Sequence, residues 1–357
     1  MLIILFSVFG VASKYMLKFE SQSIAAKFID PSGQVVEKPI EIRTHPITGR
    51  TCRIAFSRIS EKEAGTDSLP PPPPDADHTS ECPFCQPRVT SKTPQLHPDL
   101  SSNGRMNQGD SLLFPNLFPY GSYSAVSLFN DQHFVEIGTA TVSSYTDCLI
   151  NSVRYLKKAL HHDPLAVYMA ITQNHLPSAG GSLVHPHLQI NADRIPGNHH
   201  RFLLQTANNF YQQSGKYLFS SYRAHEKSTG SRYIGKTGSW EWMAAFAPEG
   251  FFEIWGILPG MTSLQQVTAS DWQDLAQGIV NTQRFYRSIC RNGYNLGLLS
   301  IENPGSRLEL RTVIVVRSNY APWTRSDYTG YEVIIGDMAT FVAPEQTAEW
   351  SRSFFSS

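Results

Sequence analysis

The sequence has no excess of either charge. Thirty lysine and arginine residues balance thirty aspartate and glutamate residues among 357, and only 17% of all residues are charged. General binding of nucleic acid needs a positive field, so this balance argues against nucleic acid as a partner. Because 41% of the residues are hydrophobic, the chain can form a substantial core, in one large domain or two ordinary ones.

Cysteine is also scarce. The chain has five, and a disulfide framework would leave one of them unpaired. A reducing compartment therefore fits best, and we expect a cytoplasmic protein.

An apolar run long enough to span a bilayer is missing at the start of the chain. Residues 2–12 are apolar, but a spanning helix needs about 20 residues. The segment resembles the core of a signal peptide without the preceding basic residue, and Met16 offers a later start. We expect no membrane association. Residues 1–39 are interpreted as an N-terminal extension whose start codon is placed too early or which is partly disordered.

The most informative segment is residues 180–190, GGSLVHPHLQI. In a strand, alternate side chains share a face, so His185, His187 and Gln189 would point into one site. The preceding glycines and serine would form a loop whose backbone N–H groups approach a phosphate. An imidazole beside such a loop suits nucleophilic catalysis at phosphorus. The alternative is a pair of structural histidines on a core strand.

A second motif is a pair of cysteines separated by two residues, Cys82 and Cys85. Two thiolates at this spacing can bind one Zn²⁺, and the sequence contains no second such pair. His133 and His185 are the candidates for the remaining ligands. A redox function is less favoured, because no thioredoxin-like pattern surrounds the cysteines.

Each half of the chain predicts a strand, a long helix and a second strand, in that order. The predicted elements are strand 124–129, helix 143–160 and strand 165–172, and then strand 251–256, helix 271–291 and strand 308–316. This repetition predicts a duplicated α+β unit.

Four motifs in the same order make the chain similar to the galactose-1-phosphate uridylyltransferase family of the histidine-triad superfamily. They are RTHPITG at 43–49, CPFC at 82–85, QNH at 173–175 leading to HPHLQ at 185–189, and GYE at 330–332 with PEQTAE at 344–349. The resemblance to a divergent member implies an α+β fold of duplicated histidine-triad-like units, with antiparallel sheets flanked by helices. Residues 40–195 would form the catalytic, zinc-binding half and residues 196–357 the C-terminal half.

The resemblance also implies a ping-pong transfer of a nucleotidyl group between a nucleotide sugar and a sugar 1-phosphate, as in galactose metabolism. His187 would attack the α-phosphorus and hold the nucleotidyl group covalently, and Gln189 would bind the phosphoryl oxygens. The implied ligands of a structural Zn²⁺ are Cys82, Cys85, His133 and His185. The implied substrate-binding residues are Asn174, Gly181, Ser182, Asn116, Arg58, Tyr331 and Glu332. Members of the family are usually homodimers, and we expect one here.

The C-terminal half departs from the family pattern. Residues 306–312, SRLELRT, replace the histidine cluster of a second metal site, so no second metal is expected. Three other residues of the family pattern are also replaced. Asp327 stands in place of a lysine that binds the acceptor, Met338 in place of a glutamine, and Leu117 in place of an aspartate of the nucleoside pocket. Arg311 or Arg325 could supply the lost positive charge.

Two other functions stay open. A phosphorylase or hydrolase of nucleotide sugars or dinucleoside polyphosphates in the same superfamily uses the same histidine motif. Gln189 favours transfer over hydrolysis, because a glutamine cannot protonate a leaving group as an imidazolium does. A catalytically silent, zinc-stabilised binding protein is supported only by the divergent C-terminal half.

Overall fold

The computed structural model describes residues 17–55, 68–317 and 331–356, without the side chains of Tyr331 and Val333. The strands are β1 (Glu20–Ile29), β2 (Val35–Thr44), β3 (Thr51–Ile54), β4 (Met106–Gln108), β5 (Ser111–Pro115), β6 (Tyr123–Leu128), β7 (Tyr168–His175), β8 (His187–Asp193), β9 (Tyr233–Thr237), β10 (Trp240–Ala244), β11 (Ile254–Ile257), β12 (Gly293–Ile301), β13 (Arg311–Arg317) and β14 (Met338–Thr340). The helices are α1 (Arg88–Lys92), α2 (Val142–His162), α3 (Asn198–Ser214), α4 (Leu218–Thr229), α5 (Ala269–Ser288) and α6 (Pro344–Ser351). Within these residues, no helix is long and apolar enough to cross a membrane.

The larger sheet contains ten strands in the order β4-β5-β6-β8-β7-β12-β13-β11-β10-β9. Each half contributes five strands, and both halves arrange them in the same way from the sheet edge to the centre. The first half reads β4, β5, β6, β8, β7, and the second half reads β9, β10, β11, β13, β12. A long helix follows the third strand in each half, α2 in the first and α5 in the second. Antiparallel pairing of β7 with β12 joins the halves. The predicted duplication is therefore confirmed, and the two units share one continuous sheet.

One face of this sheet, here called the helix face, is covered by α2 and α5, which pack against each other. Thr141 caps α2 by accepting a hydrogen bond from the Ser144 N–H, and Thr268 forms a capping box with Asp271 at the start of α5. Both helices bury an apolar side against the strands, and this packing forms the main core. Polar functional groups of the sheet are consequently expected on its opposite face, here called the site face.

The site face is covered differently in the two halves. In the second half, α3 and α4 lie on it, and Leu203 and Phe219 belong to one buried cluster with Trp255 of β11. In the first half, the loop before α1 lies on it, and Phe84 packs edge-on against Phe114 of β5. The side chains of β7 and β8 beside this loop line the site described below.

The smaller sheet, in the order β1-β2-β3-β14, brings the two ends of the chain together. Arg43 of β2 makes two hydrogen bonds of 3.0 Å to the carboxylate of Glu345 in α6, and a further one of 2.8 Å to Glu41. Arg232 also bonds to Glu345, at 2.7 Å. Such bidentate, charge-assisted bonds are among the stronger polar contacts in proteins. Two of the motifs that carry the family resemblance thus meet in a structural junction.

Most of the predicted elements are observed, with shifted ends. The strand predicted over 124–129 and the helix over 143–160 are β6 and α2. Strand β8 begins at His187, so His185 lies just before the strand and not within it, contrary to the prediction. The sequence patterns do not indicate α3 and α4, because these helices carry many polar residues and bury only a narrow stripe. Strand β1 lies inside the segment 1–39 that we assigned to an extension.

Candidate active site and metal centre

A cluster of four metal-ligating side chains lies at the edge of the first half. The ligand atoms of Cys82, Cys85, His133 and His185 all lie within 4.8 Å of one another. The Cys85 Sγ is 3.3 Å from the His133 Nδ1 and 3.5 Å from the His185 Nδ1, and the Cys82 Sγ is 4.0 Å from the latter. These four residues are the ones that the sequence motifs predict as ligands.

The two histidines are held with the correct ring nitrogen toward the cluster. The Nε2 of His133 lies 2.9 Å from the carbonyl oxygen of Asp75, and the Nε2 of His185 lies 3.1 Å from that of Asn130. A carbonyl only accepts, so each Nε2 carries the hydrogen and each Nδ1 presents a lone pair. A hydrogen bond from the outer ring nitrogen to a carbonyl is usual for metal-binding histidines, because it fixes the tautomer and the ring orientation.

The donor set fits a tetrahedral cation. Two sulfur and two nitrogen ligands at bond lengths of about 2.0–2.3 Å would lie roughly 3.3–3.8 Å apart, close to the separations seen here. Burial, together with the neighbouring Cys82, raises the pKa of the Cys85 thiol to about 11. A bound cation would stabilise the thiolate and release its proton. The cluster can therefore hold a metal ion.

His187 lies two residues beyond the candidate ligand His185 and points to the site face. Its Nδ1 donates a hydrogen bond to the carbonyl oxygen of His185, at 2.8 Å. Burial lowers the pKa of His187, so the ring is neutral and its Nε2 carries a lone pair. The ring of Phe84 packs edge-on against it, with centroids 5.3 Å apart. His187 is only 7% exposed, so its ring is held in one orientation and presents an unprotonated Nε2.

The turn between β7 and β8 is tightly folded. Leu176 has a φ of 72° and Gly180 a φ of 85°, both in the left-handed region. A Cβ on Gly181 would lie 2.9 Å from the carbonyl oxygen of Leu176 and 3.0 Å from that of Asn174, so only glycine fits there. The N–H groups of both glycines donate within the turn, to Pro177 and Leu176, contrary to their predicted role toward phosphate.

The exposed Ser182 follows this turn. Within the described parts of the chain, its N–H has no hydrogen-bond partner, and neither does that of Leu183. These two amides and the Ser182 hydroxyl are donors that remain available to an anion.

The second half contributes two residues that the motifs do not indicate. Asn295 of β12 donates its side-chain amide to the Asn174 Oδ1 at 2.7 Å and to the carbonyl oxygen of Ala179 at 2.8 Å. Its own Oδ1 accepts a hydrogen bond from Arg317 of β13 at 3.2 Å. This chain of contacts fixes the Asn174 amide group and brings a guanidinium to the seam between the halves. The signal in the sequence is only a polar residue on an otherwise apolar strand.

Gln189 lies on the same face of β8 as His187, opposite Thr172 of β7 and Val126 of β6. It is half-buried. Its amide group is therefore on the face where a group bound to His187 would lie.

Comparison with known proteins bears on the fold. No family model matches the chain. An uncharacterized protein of Archaeoglobus fulgidus is 28% identical over 341 residues, covering 95% of this chain and 99% of that protein. An ADP-glucose phosphorylase from Arabidopsis thaliana with bound ADP-glucose is similar at a TM-score of 0.66 and 19% identity, over 88% of this chain and 98% of its own.

Two further solved structures are similar over nearly their whole length. A uridylyltransferase gives a TM-score of 0.62 at 20% identity, over 88% of this chain and 98% of its own. A galt-like protein of Arabidopsis thaliana gives 0.65 at 19%, over 87% and 98%. The chain has the uridylyltransferase fold. The α+β class with antiparallel sheets flanked by helices, and the resemblance that predicts it, are confirmed at the level of the fold.

Several predicted substrate residues lie away from His187 in this uridylyltransferase fold or outside the described residues. His187 is paired with Leu128, which is paired with Leu112, so Asn116 lies four residues or about 13 Å further along its strand. The Asn116 Oδ1 accepts a hydrogen bond from the Phe118 N–H, which is a turn-forming role. Glu332 is buried in a single helical turn that leads into β14.

Arg58, Arg325 and Asp327 lie outside the described residues, as does the side chain of Tyr331. Met338 is buried in β14. Arg311 is described, and it does not lie at the His187 site.

Proposed function

We propose that the protein is a nucleotidyltransferase that forms a covalent nucleotidyl-histidine on His187. The observation that carries the proposal is the hydrogen bond from the His187 Nδ1 to the His185 carbonyl, which leaves an unprotonated Nε2 on a buried, oriented ring. An imidazole in this state is a nucleophile, and pre-orientation lowers the entropic part of the barrier.

In the proposed reaction, the Nε2 of His187 attacks the α-phosphorus of a nucleotide sugar. A P–N bond forms, and the P–O bond to the sugar phosphate breaks, its electron pair leaving with the sugar phosphate. In the second half-reaction, a phosphate oxygen of the acceptor attacks the same phosphorus and releases the neutral imidazole. Asn174, Ser182 and Gln189 would bind the non-bridging oxygens, where charge accumulates.

A structural Zn²⁺ on the four-residue cluster is part of the proposal. Its ligand His185 also supplies the carbonyl that orients His187, so the metal would fix the nucleophile without touching the substrate. Because no cysteine is in a disulfide bond, a reducing, cytoplasmic location is consistent with this site.

The acceptor is proposed to be a sugar 1-phosphate. Inorganic phosphate, which would make the protein a phosphorylase, is the second candidate. It is favoured by the similarity to a structure named as an ADP-glucose phosphorylase. Both reactions pass through the same His187 adduct.

The test is the intact mass of the full-length protein after mixing with ADP-glucose, UDP-glucose, UDP-galactose or GDP-mannose. We expect an added nucleoside monophosphate that is absent from His187→Gln and present in the exposed-site control His161→Gln. Chasing the adduct with glucose 1-phosphate or with inorganic phosphate then identifies the acceptor. No adduct with any donor in metal-loaded protein would refute covalent transfer and favour the silent binding protein.

A homodimer is proposed as well. Strand β1 and most of β2 form a ribbon whose large apolar side chains Phe28, Ile29 and Val35 are 42%, 69% and 79% exposed. Exposed apolar groups on a paired ribbon favour association with a second copy. Light scattering of the intact chain and of Ile29→Lys checks this: a monomer in both would contradict it.

A further inference from the structure

A second cavity, here called the Arg311 cavity, lies on the site face of the second half. Its volume is about 260 Å³. Arg311 is the first residue of β13 and pairs with Ile257 of β11, as His187 is the first residue of β8 and pairs with Leu128 of β6. The internal duplication therefore places Arg311 where the first half has its nucleophile.

The two sites are nevertheless separate. His187 and Arg311 are separated by three strand spacings, about 14 Å, and by four residues along the strands, about 13 Å. The sequence suggests Arg311 as a replacement for the acceptor-binding cation. Because of this separation, Arg311 does not fill that role.

The guanidinium of Arg311 lies between two aromatic rings. Its central carbon is 4.0 Å from the ring centroid of Trp255 and 4.7 Å from that of Phe219. Within the described residues, it makes no ion pair or hydrogen bond, and Arg311 lines the cavity. A guanidinium does not lose its proton at neutral pH, so a half-buried, unpaired one gains by binding an anion.

The nearby carboxylates are already hydrogen-bonded elsewhere. Glu253 accepts hydrogen bonds from the Trp255 indole N–H and from two backbone N–H groups, at Glu249 and Gly250. Glu309 takes the place that His185 has in the first half, two residues before the strand, and accepts hydrogen bonds from Ser220 and Gly260. They lower the local potential without pairing with Arg311.

A second donor opens into the same cavity. The Nδ1 of His45 accepts hydrogen bonds from the N–H groups of Ile47 and Thr48, both at 3.1 Å. Burial lowers the pKa of His45 to about 4, so the neutral ring carries its only hydrogen on Nε2. His45 is 2% exposed and lines the cavity.

The rest of the wall is mostly apolar, with Thr48, His199 and Glu249 as its other polar residues, and the Thr48 hydroxyl donates a hydrogen bond to the Glu249 carboxylate at 2.9 Å. The apolar residues of the wall include Leu203, Leu299, Leu308, Val313 and Val315. A Cβ added at Gly297, on the cavity floor, would meet no atom within 4 Å. The volume is just below the roughly 300–1,000 Å³ of pockets for drug-sized ligands, so the occupant must be small.

We propose that the Arg311 cavity binds a small monocarboxylate with an apolar body, held by the guanidinium of Arg311 and the Nε2–H of His45. A carboxylate matches the fork of one arginine. The carboxylates of Glu249 and Glu253 nearby repel a phosphate dianion more strongly than a singly charged carboxylate. This site does not depend on the proposed transfer reaction.

The test uses benzoate as the probe and benzamide as its neutral isostere, with the full-length protein and saturation-transfer NMR. We expect saturable binding of benzoate and binding of benzamide weaker by at least about tenfold. Arg311→Gln should weaken benzoate by roughly ten- to a hundredfold, since it removes charge-assisted hydrogen bonds. The exposed control Arg201→Gln should bind as the unchanged protein does.

Gly297→Leu provides an independent variant, because it fills the cavity and keeps Arg311. We expect it to abolish benzoate binding, and it decides the question if Arg311→Gln does not fold. The proposal is overturned if benzoate and benzamide bind equally, if neither variant weakens benzoate, or if no saturable binding occurs. The last result would assign Arg311 a structural role as a stacked cation.

Discussion

The side chain of Asn295 in the second half donates a hydrogen bond of 2.7 Å to the side chain of Asn174 in the first half. This contact crosses the central strand pair β7–β12, which joins the duplicated units. The Oδ1 of Asn174 accepts this hydrogen bond, so its Nδ2 faces the loop at Gly180. A Cβ built on Gly180 would lie 3.9 Å from that Nδ2. The candidate active site of the first half is thus completed by the second.

Replacing Asn295 by alanine should impair transfer more than it impairs folding. The variant frees the Asn174 amide and the Ala179 carbonyl, and a lost orienting hydrogen bond costs about 1–2 kcal/mol, or roughly 5- to 30-fold in rate. We expect slower formation of the nucleotidyl adduct in single-turnover mixing, with donor affinity changed less. Asn295→Asp should be slower still, because its carboxylate repels the Asn174 oxygen.

Asn209→Ala, at an exposed position of α3, is the matched control and should react at the original rate. An unchanged adduct rate in Asn295→Ala would show that the contact with Asn174 has no part in catalysis.

Loss of one cysteine ligand should remove the metal and destabilise the first half. Cys85 lies within 3.5 Å of both ligand histidines, so Cys85→Ser leaves at most three good ligands. We expect one metal ion per chain in the unchanged protein and a large loss in the variant, measured by elemental analysis. The unfolding temperature should fall by about 2–4 °C for each kcal/mol lost.

Cys290→Ser is the control for the change in chemistry, because Cys290 lies outside the cluster. Equal metal content in the two variants would contradict a metal site at Cys85.

The sequence predicts Cys82, Cys85 and His185 of the four-residue cluster, and the proposed nucleophile His187, because these residues form local patterns, cysteines separated by two residues and histidines flanking one proline. The prediction that His185 lies within the strand is wrong, because the strand begins at His187. The orientation of a side chain just before a strand is set by its contacts and not by the alternation of the strand. Asn295 could not be predicted, because its role arises from the register of β7 on β12, more than a hundred residues apart. The conformation of Leu176, at a positive φ, is likewise imposed by the turn and not by its residue type.

His175 should make stability depend on pH below neutrality. Its ring lies on the helix face, stacked on Tyr294 with centroids 4.9 Å apart, and its Nε2 has no partner within the described residues. Burial lowers its pKa from 6.5 to about 4. Between these values the unfolded chain binds a proton that the folded protein does not. Stability is therefore fully present above pH 6.5 and is lost as the pH falls toward 4.

Replacing His175 by phenylalanine keeps a ring beside Tyr294 and removes the titrating group. From pH 7 to pH 5 the original protein should lose about 2 kcal/mol more of its free energy of unfolding than the variant does, measured by urea denaturation. The variant His161→Gln removes an exposed histidine and should show the same dependence of the free energy of unfolding on pH as the original protein. It controls for the loss of a histidine as such. Parallel curves for His175→Phe and the unchanged protein would mean that His175 is protonated equally in the folded and unfolded states, and that its burial does not determine the acid sensitivity of the fold.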